Sequence, residues 1–275
     1  MTLIKGADLP QVDILERNVY VQNFGKVKGK KAFLTQRPGG IEKLVSINSD
    51  RYVPIPFNES VAAVESRLAE APGNWEVMPK GTFFSRGDAR LTVKYIDQSK
   101  EILLASDVFE GGGKADVLFP TLTVSNSLDT TKAYTLDFGA CRSFCTNGMV
   151  FGRKSIEAIR IKHFRNLDQF DLDTFGQGLD RLEVVMKESF GILAETPVLN
   201  PIEQIGKWTE EKLLGKRASE EVADTVARYQ EQGIKMTAWV LYNAMTAFYT
   251  HRVKSMEASD RNLRRALVMA QGLAA

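Results

Sequence analysis

The amino-acid sequence predicts an α+β fold: an antiparallel β-meander over roughly residues 75–150, packed by a C-terminal set of helices and preceded by an irregular or hairpin-forming arm. Three observations predict it. The segments WEVMP, ARLTVKYID, EILLASDVF, ADVLFPTLTVSNS and AYTLDFGACRSF are rich in β-branched and aromatic residues, which pack well on a pleated surface. The stretches between them hold the turn residues SRGD, DQSK, EGGGK and SLDTTK and are too short for the crossover helix that parallel pairing needs. After Gly152 the apolar residues recur at spacings of three and four, the period of a helix face.

Taken in order, residues 1–57 read as a basic, partly irregular arm built from VYVQNF, the lysine-rich Gly25–Lys31, AFL, RPGG and KLVSI. Lys26, Lys28, Lys30 and Lys31 give it a positive tip. Residues 58–275 then form a single core, with the sheet in 58–150 and the helical part in 151–275. Asn58 or Ser60 caps a helix through VAAVESRLAEA, stopped by Pro72 and Gly73. Asn147-Gly148 closes the last strand, since both residues accept left-handed backbone angles and allow a sharp turn into a basic helix.

In the helical part, Ile156, Ile159, His163 and Leu167 form one stripe, and a second runs from Leu172 through Leu179, Leu182 and Met186 to Phe190. Asn200-Pro201-Ile202-Glu203 combines a cap, a proline at the first helical position and an acid in the first turn. Ser219 caps EEVADTVARYQEQ, which ends at Gly233. A further helix carries Trp239, Tyr242, Thr246 and Tyr249 on one face, and Ser259 or Asp260 opens the last one.

Composition narrows the class without naming a function. The chain has 275 residues, 44% apolar and 25% charged, an ordinary globular balance that buries a core without disulfide or metal staples. No apolar run approaches the ~18 to 20 residues of a membrane span. The opening MTLIKGADLPQVD places charge and proline where a secretory signal needs an apolar core, so a cytoplasmic protein is expected. Cys141 and Cys145 lie ~13 Å apart along a straight strand, beyond disulfide reach, and are expected as reduced thiols.

The apparent nucleotide and adhesion motifs fail on inspection. Gly111-Gly112-Gly113-Lys114 lacks both the earlier glycine of a phosphate loop, where Val108 stands, and the following Ser or Thr, where Ala115 stands. Arg86-Gly87-Asp88 sits between apolar strands and reads as turn chemistry. His163 and His251 are the only histidines, so a multi-histidine metal site within one chain is not expected; no cofactor is expected either. Cys145 with His163 or His251 is the one nucleophile-and-base pairing available. His163 lies on an apolar stripe, where a hydrogen-bonded core histidine is the commoner outcome. Asp88, Asp107, Asp116 and Asp137 could gather around magnesium, but acids at turns are ordinarily solvated.

Charge segregation says more. The net charge is +2, yet Arg153, Lys154, Arg160, Lys162 and Arg165 face Glu157 alone, while Asp168–Glu188 is acidic. Arg252, Lys254, Arg261, Arg264 and Arg265 form a further basic cluster near the carboxyl end. Together with the lysine-rich tip, these clusters suit a groove that tracks phosphates. Solvated helix faces and ion pairs between subunits are the alternative reading.

Two blocks resemble a known family. Ser125-Asn126-Ser127 with Asp129, Gly139, Cys141-Arg142 and Cys145-Thr146-Asn147-Gly148, followed by His163, is similar to the core of the phage and plasmid-like proteins grouped as domain of unknown function 932. Thr237-Ala238-Trp239, Tyr242-Asn243-Ala244, Thr246 and His251 resemble that family's carboxyl-terminal signature. The likeness frames residues 60–255 and departs at Thr130, where the family has glycine. It implies a mobile-element setting and no established activity. A fold-level analogy extends to ring-forming single-strand annealing proteins. In the second block, Trp239 and Tyr242 offer an aromatic platform, and Trp239, Asn243 and His251 are expected to clamp helix to sheet.

These readings converge on a non-enzymatic protein that binds nucleic acid, single-stranded DNA first, as a homo-oligomer acting in recombination or replication and without a membrane. A metal-dependent nuclease or Cys145 hydrolase is the second expectation, and a module that counters a host defence factor the third.

Overall fold

The computed structural model describes residues 9, 11–79, 81–104, 116–142, 148–150, 159–161, 172–253 and 256–274. It has the expected α+β class. The arm is an antiparallel sheet of three strands, β1 (Asp13–Val21), β2 (Gly25–Gln36) and β3 (Lys43–Ser49), in that order. Helix α1 (Phe57–Glu70) follows. Next come β4 (Trp75–Val77), β5 (Phe83–Ser85), β6 (Arg90–Asp97), β7 (Ile102–Leu104), β8 (Asp116–Ser127), β9 (Tyr134–Arg142), β10 (Gly148–Val150) and β11 (Ile159–Ile161). In the larger sheet β10, β9, β8, β6 and β4 are successive neighbours, with β11 on β9, β5 on β6 and β7 on β8. The helices α2 (Leu172–Glu195), α3 (Pro201–Glu210), α4 (Lys216–Glu231), α5 (Ala238–Arg252) and α6 (Met256–Gln271) complete the chain.

The chain forms two compact units, and β8, β9 and α2 each pass from one to the other along their length. The first unit holds Met1–Gln98, Thr121–Asp137 and Ala158–Gln177; the second holds Ser99–Pro120, Phe138–Glu157 and Gly178–Ala275. In the first, β6 pairs with β8 from Arg90↔Ser127 to Ile96↔Thr121. The alternating face of this ladder buries Leu91, Val93, Tyr95, Leu122 and Val124, as a strand's period of two requires. Helix α1 supplies Val61, Val64 and Leu68 to the core.

In the second unit, Phe190 of α2 packs on Trp239 and Tyr242 of α5, with ring centroids 4.9 and 6.2 Å away. Residues 238–246 of α5 are buried on every side. The expected single apolar face therefore becomes a central helix, which a sequence apolar all round requires. Gly178 of α2 meets the Phe138 ring so closely that an added Cβ would lie 2.6 Å from Cε2.

Several local expectations are corrected. Ile159 belongs to β11 rather than to a helix: Ile159, Arg160 and Ile161 pair with Leu136, Thr135 and Tyr134. Two β-branched residues flanking one polar residue suit an edge of β9. Gly148 opens β10, which returns along β9 through Gly148↔Cys141, so the chain turns into a strand and not into a helix. Ser60 lies inside α1 and donates to the Phe57 carbonyl at 2.7 Å, while Pro56 stands at the cap. Helix α4 begins at Lys216, ahead of Ser219, whose hydroxyl instead meets that of Thr209 at 2.8 Å. Likewise α6 begins before Ser259, which bonds the Tyr249 carbonyl at 2.9 Å. The Asn200 amide meets the Glu203 carboxylate at 3.3 Å and caps no backbone group. Thr237 does cap α5, accepting from the Val240 N–H at 3.3 Å.

The turn between β8 and β9 accounts for much of the first family-like block. The Asn126 amide donates to the Ile55 carbonyl at 2.9 Å. The Ser127 hydroxyl donates to the Lys132 carbonyl at 2.8 Å, and the Asp129 carboxylate accepts from both the N–H and the hydroxyl of Thr131. Thr130 between them has φ 59°, a left-handed angle that a β-branched residue adopts only at a cost. Replacing Thr130 with glycine is expected to stabilise the fold by about 1 kcal/mol. A thermal melt of Thr130→Gly below that of the original chain would refute this.

Candidate nucleic-acid interface

The hairpin of β1 and β2 pairs without interruption from Asp13↔Gln36 to Asn18↔Lys31 and resumes at Tyr20↔Lys26. Between these stretches Val19 alone stands against residues 27–30 of β2. A bulge of this kind needs a residue that tolerates positive φ. Gly29 meets the need with φ 68°, and its carbonyl accepts the Asp50 N–H at 3.1 Å. Beyond the bulge, Asn23 (φ 67°) and Gly25 (φ 79°) close the turn, helped by the Phe24 N–H on the Val21 carbonyl at 3.0 Å.

The tip so formed is both basic and aromatic. Lys26, Lys28 and Lys30 are exposed and enter no ion pair among the described residues. Lys31 differs, being half-buried and paired with Glu16 at 2.7 Å. Tyr20 and Phe24 are 67% and 87% exposed. The sequence reading missed both, because VYVQNF resembles an apolar strand that buries its rings. The lysines that follow those rings were the nearest signal in the sequence.

The base of the arm is fixed by a buried carboxylate. Asp88, in the Arg86–Asp88 turn, accepts from Arg37 Nε at 3.0 Å and Nη2 at 2.6 Å, and from Lys43 Nζ at 3.4 Å. The Arg37 guanidinium also lies 5.6 Å from the Phe84 ring centroid, a cation–π distance. The Arg37 hydrogen bonds and charge, with Lys43 beside them, hold the Asp88 carboxyl below its ordinary value despite burial. Arg86 reaches Asp129 at 3.4 Å. Burial pushes the Asp129 carboxyl up, but its bonds from Thr131 and Ser127 and the Arg86 charge bring it below the ordinary value overall.

The remaining site expectations fall as follows. Cys145, Asn147, Arg153, Lys154, Lys162, His163, Arg165 and Lys254 lie outside the described residues. So does Asp107, whereas Asp88 and Asp137 lie in ion pairs, the latter with Lys132 at 3.8 Å. Arg142 is the last residue of β9, and Arg160 stands opposite Thr135 in β11. Arg252 is paired with Glu221 at 3.0 Å. Cys141 is buried.

Trp239 and Tyr242 are fully buried and offer no platform for a base. The Asn243 amide donates to the Trp239 carbonyl of its own helix at 2.9 Å, and His251 is exposed. The Trp239 ring packs on Phe190 of α2 and on Tyr242 of its own helix, with centroids 4.9 and 5.8 Å away. Among the described residues no three His, Cys, Asp or Glu side chains gather as a metal site, and no helix is long and apolar enough to cross a membrane.

The class defined by these observations is an α+β protein with antiparallel sheets and a projecting basic hairpin. Within it, the chain belongs to the family described as Domain of unknown function (DUF932), whose model matches residues 45–268. No curated protein and no solved structure matches the chain. The lysine-rich tip precedes the matched residues and is thus a feature of this chain rather than of the matched segment.

Asp88→Asn keeps a residue that tolerates the turn's φ of 72° while removing the charge. It is expected to cost about 1–3 kcal/mol at pH 7. Because the folded carboxyl titrates below its ordinary value of 3.8, the contribution is complete above that pH and fades below it. Urea denaturation at pH 7 and pH 3 should therefore show the two proteins converging in acid; an equal gap at both pH values would refute the assignment.

Proposed function

We propose that the protein binds single-stranded nucleic acid, DNA in the first instance, through the β1–β2 hairpin tip. One observation carries the reading: three exposed lysines with no acid partner among the described residues share a hairpin with two exposed aromatic rings. Lysines attract the phosphate backbone by releasing counterions, and exposed rings stack on unpaired bases whatever their identity. Duplex DNA offers this tip its phosphates but hides its base faces, so a single strand suits both features better.

The bulge at Gly29 supports the same reading, since it sets the tip off from the base of its sheet, where Arg17 and Lys31 are matched by Glu42 and Glu16. A role as an accessory factor in phage or plasmid recombination or replication, exerted by a homo-oligomer, fits the family resemblance and the use of backbone contacts without chemistry.

Fluorescence anisotropy with a labelled oligothymidylate, titrated at low and moderate salt, tests the proposal. Replacing Lys26, Lys28 and Lys30 together with glutamine is expected to reduce the slope of log K against log salt by about 2, at roughly 0.7 per phosphate contact. Phe24→Ala or Tyr20→Ala is expected to cost about 1–3 kcal/mol with little change in slope. Absence of binding at micromolar protein in low salt, or binding indifferent to all of these changes, would overturn the proposal. A tip that instead governs self-association in sedimentation, with no effect on the strand, would do the same.

A further inference from the structure

We propose that the groove between α4 and α5 binds a small ligand that joins an anionic group to a flat ring, of the nucleoside monophosphate class. The inference concerns the helical unit and does not rest on strand binding by the hairpin tip. The groove encloses about 360 Å³, within the usual range of small-ligand pockets. Glu221, Thr225 and Arg228 face it from α4, and Ala247, Phe248 and His251 from α5. Rows spaced by three and four residues form a continuous wall on each helix, and seven residues of α4 give the wall a length of about 10 Å.

The two ends differ in how their cations are held. At one end Arg252 meets Glu221 at 3.0 Å, and Arg217 shares that carboxylate at 3.4 Å. Both guanidiniums at this end therefore have a carboxylate partner. The contact also sets the helices antiparallel, which brings Arg228 to the far end and Phe248 between. Arg228 is held differently: Nε donates to the Asp224 carbonyl at 3.3 Å and Nη2 to the Thr225 hydroxyl at 3.1 Å. These bonds position the guanidinium without neutralising it, and Arg228 enters no ion pair among the described residues.

A positioned, uncompensated guanidinium is a receptor for a phosphate or carboxylate. The small Ala247 side chain deepens the floor beside the half-buried Phe248 ring, leaving room for a flat group against it. His251 is exposed at the mouth beyond. An anion on Arg228 with a ring over Phe248 spans a nucleotide's length, and the Asp224 side of the wall can accept from its hydroxyl or amino groups.

The test is a titration of the full chain with AMP, with adenosine and inorganic phosphate as separate arms, followed by NMR of the imidazole protons. The chain has two histidines, so His251→Gln assigns the relevant signal. AMP is expected to shift the His251 signal saturably and to bind more tightly than adenosine or phosphate alone. Arg228→Gln and Ala247→Leu are each expected to weaken AMP by about tenfold or more; circular dichroism checks that both fold, and the groove-filling leucine is a helix former at a half-buried site. No shift at millimolar AMP, equal affinity in both variants, or phosphate binding as tightly as AMP would each overturn the proposal. Quenching the tip lysines should leave AMP binding unchanged, which separates this result from the fate of strand binding.

Discussion

The first unit depends on a short run of hydrogen bonds that fasten the segment before and within α1 to the carbonyls and side chains of β8 and β9. Ser46 donates to the Leu128 carbonyl at 2.9 Å, Tyr52 to the Ser127 and Leu128 carbonyls at 3.3 Å, and Tyr134 to the Ser60 carbonyl at 2.9 Å. Asn126 adds its bond to Ile55. Most of these groups are buried, so a lost partner is not replaced by water and the full desolvation cost falls on the orphan. Burial raises the Tyr52 and Tyr134 hydroxyls well above their ordinary pKa, which keeps them neutral donors. Because side chains alternate along a strand, a slip of β8 by one residue would turn Asn126 away and break the set at once.

This fastening explains how a basic arm can project without loosening the core. Phe33 of β2 is fully buried and meets Tyr52 edge to face at 5.2 Å, so the base of the arm sheet shares the same anchored segment. Asp88 ties Arg37 and Lys43 to the adjoining turn. Charge is thus sorted along the arm: Arg37 and Lys43 at its base are matched by the buried Asp88, while Lys26, Lys28 and Lys30 enter no ion pair among the described residues. The near-neutral total of +2 conceals this sorting.

Much of the fold was legible because it rests on local pattern. Strands β6 and β9 open on alternating apolar and polar residues, Leu91, Val93 and Tyr95 in one and Tyr134, Leu136 and Phe138 in the other, and Pro201 marks the start of α3. Strand β11 was not legible, since three residues carry no period and its place comes from pairing with residues 134–136 of β9. Helix caps failed for a related reason: Ser60, Ser219 and Ser259 each have tertiary or intrahelical partners that outbid the capping role. Of the candidate site, the lysines were legible because charge is a property of composition. The exposure of Tyr20 and Phe24 was not, because the pattern of an apolar strand states which side chains can be buried but not whether anything arrives to cover them.

The burial of α5 on all sides bears on how the chain is made. The helix touches α4, which precedes it, and α6, which follows it, so its apolar surface stays partly open to water until the residues of α6 have been synthesised. During that interval a nascent chain presents Leu241, Met245 and the rings around them to any other apolar surface nearby. Folding of this unit is therefore postponed until α6 has been synthesised, and the helix that finally sits at its centre is the segment most in need of shielding before then.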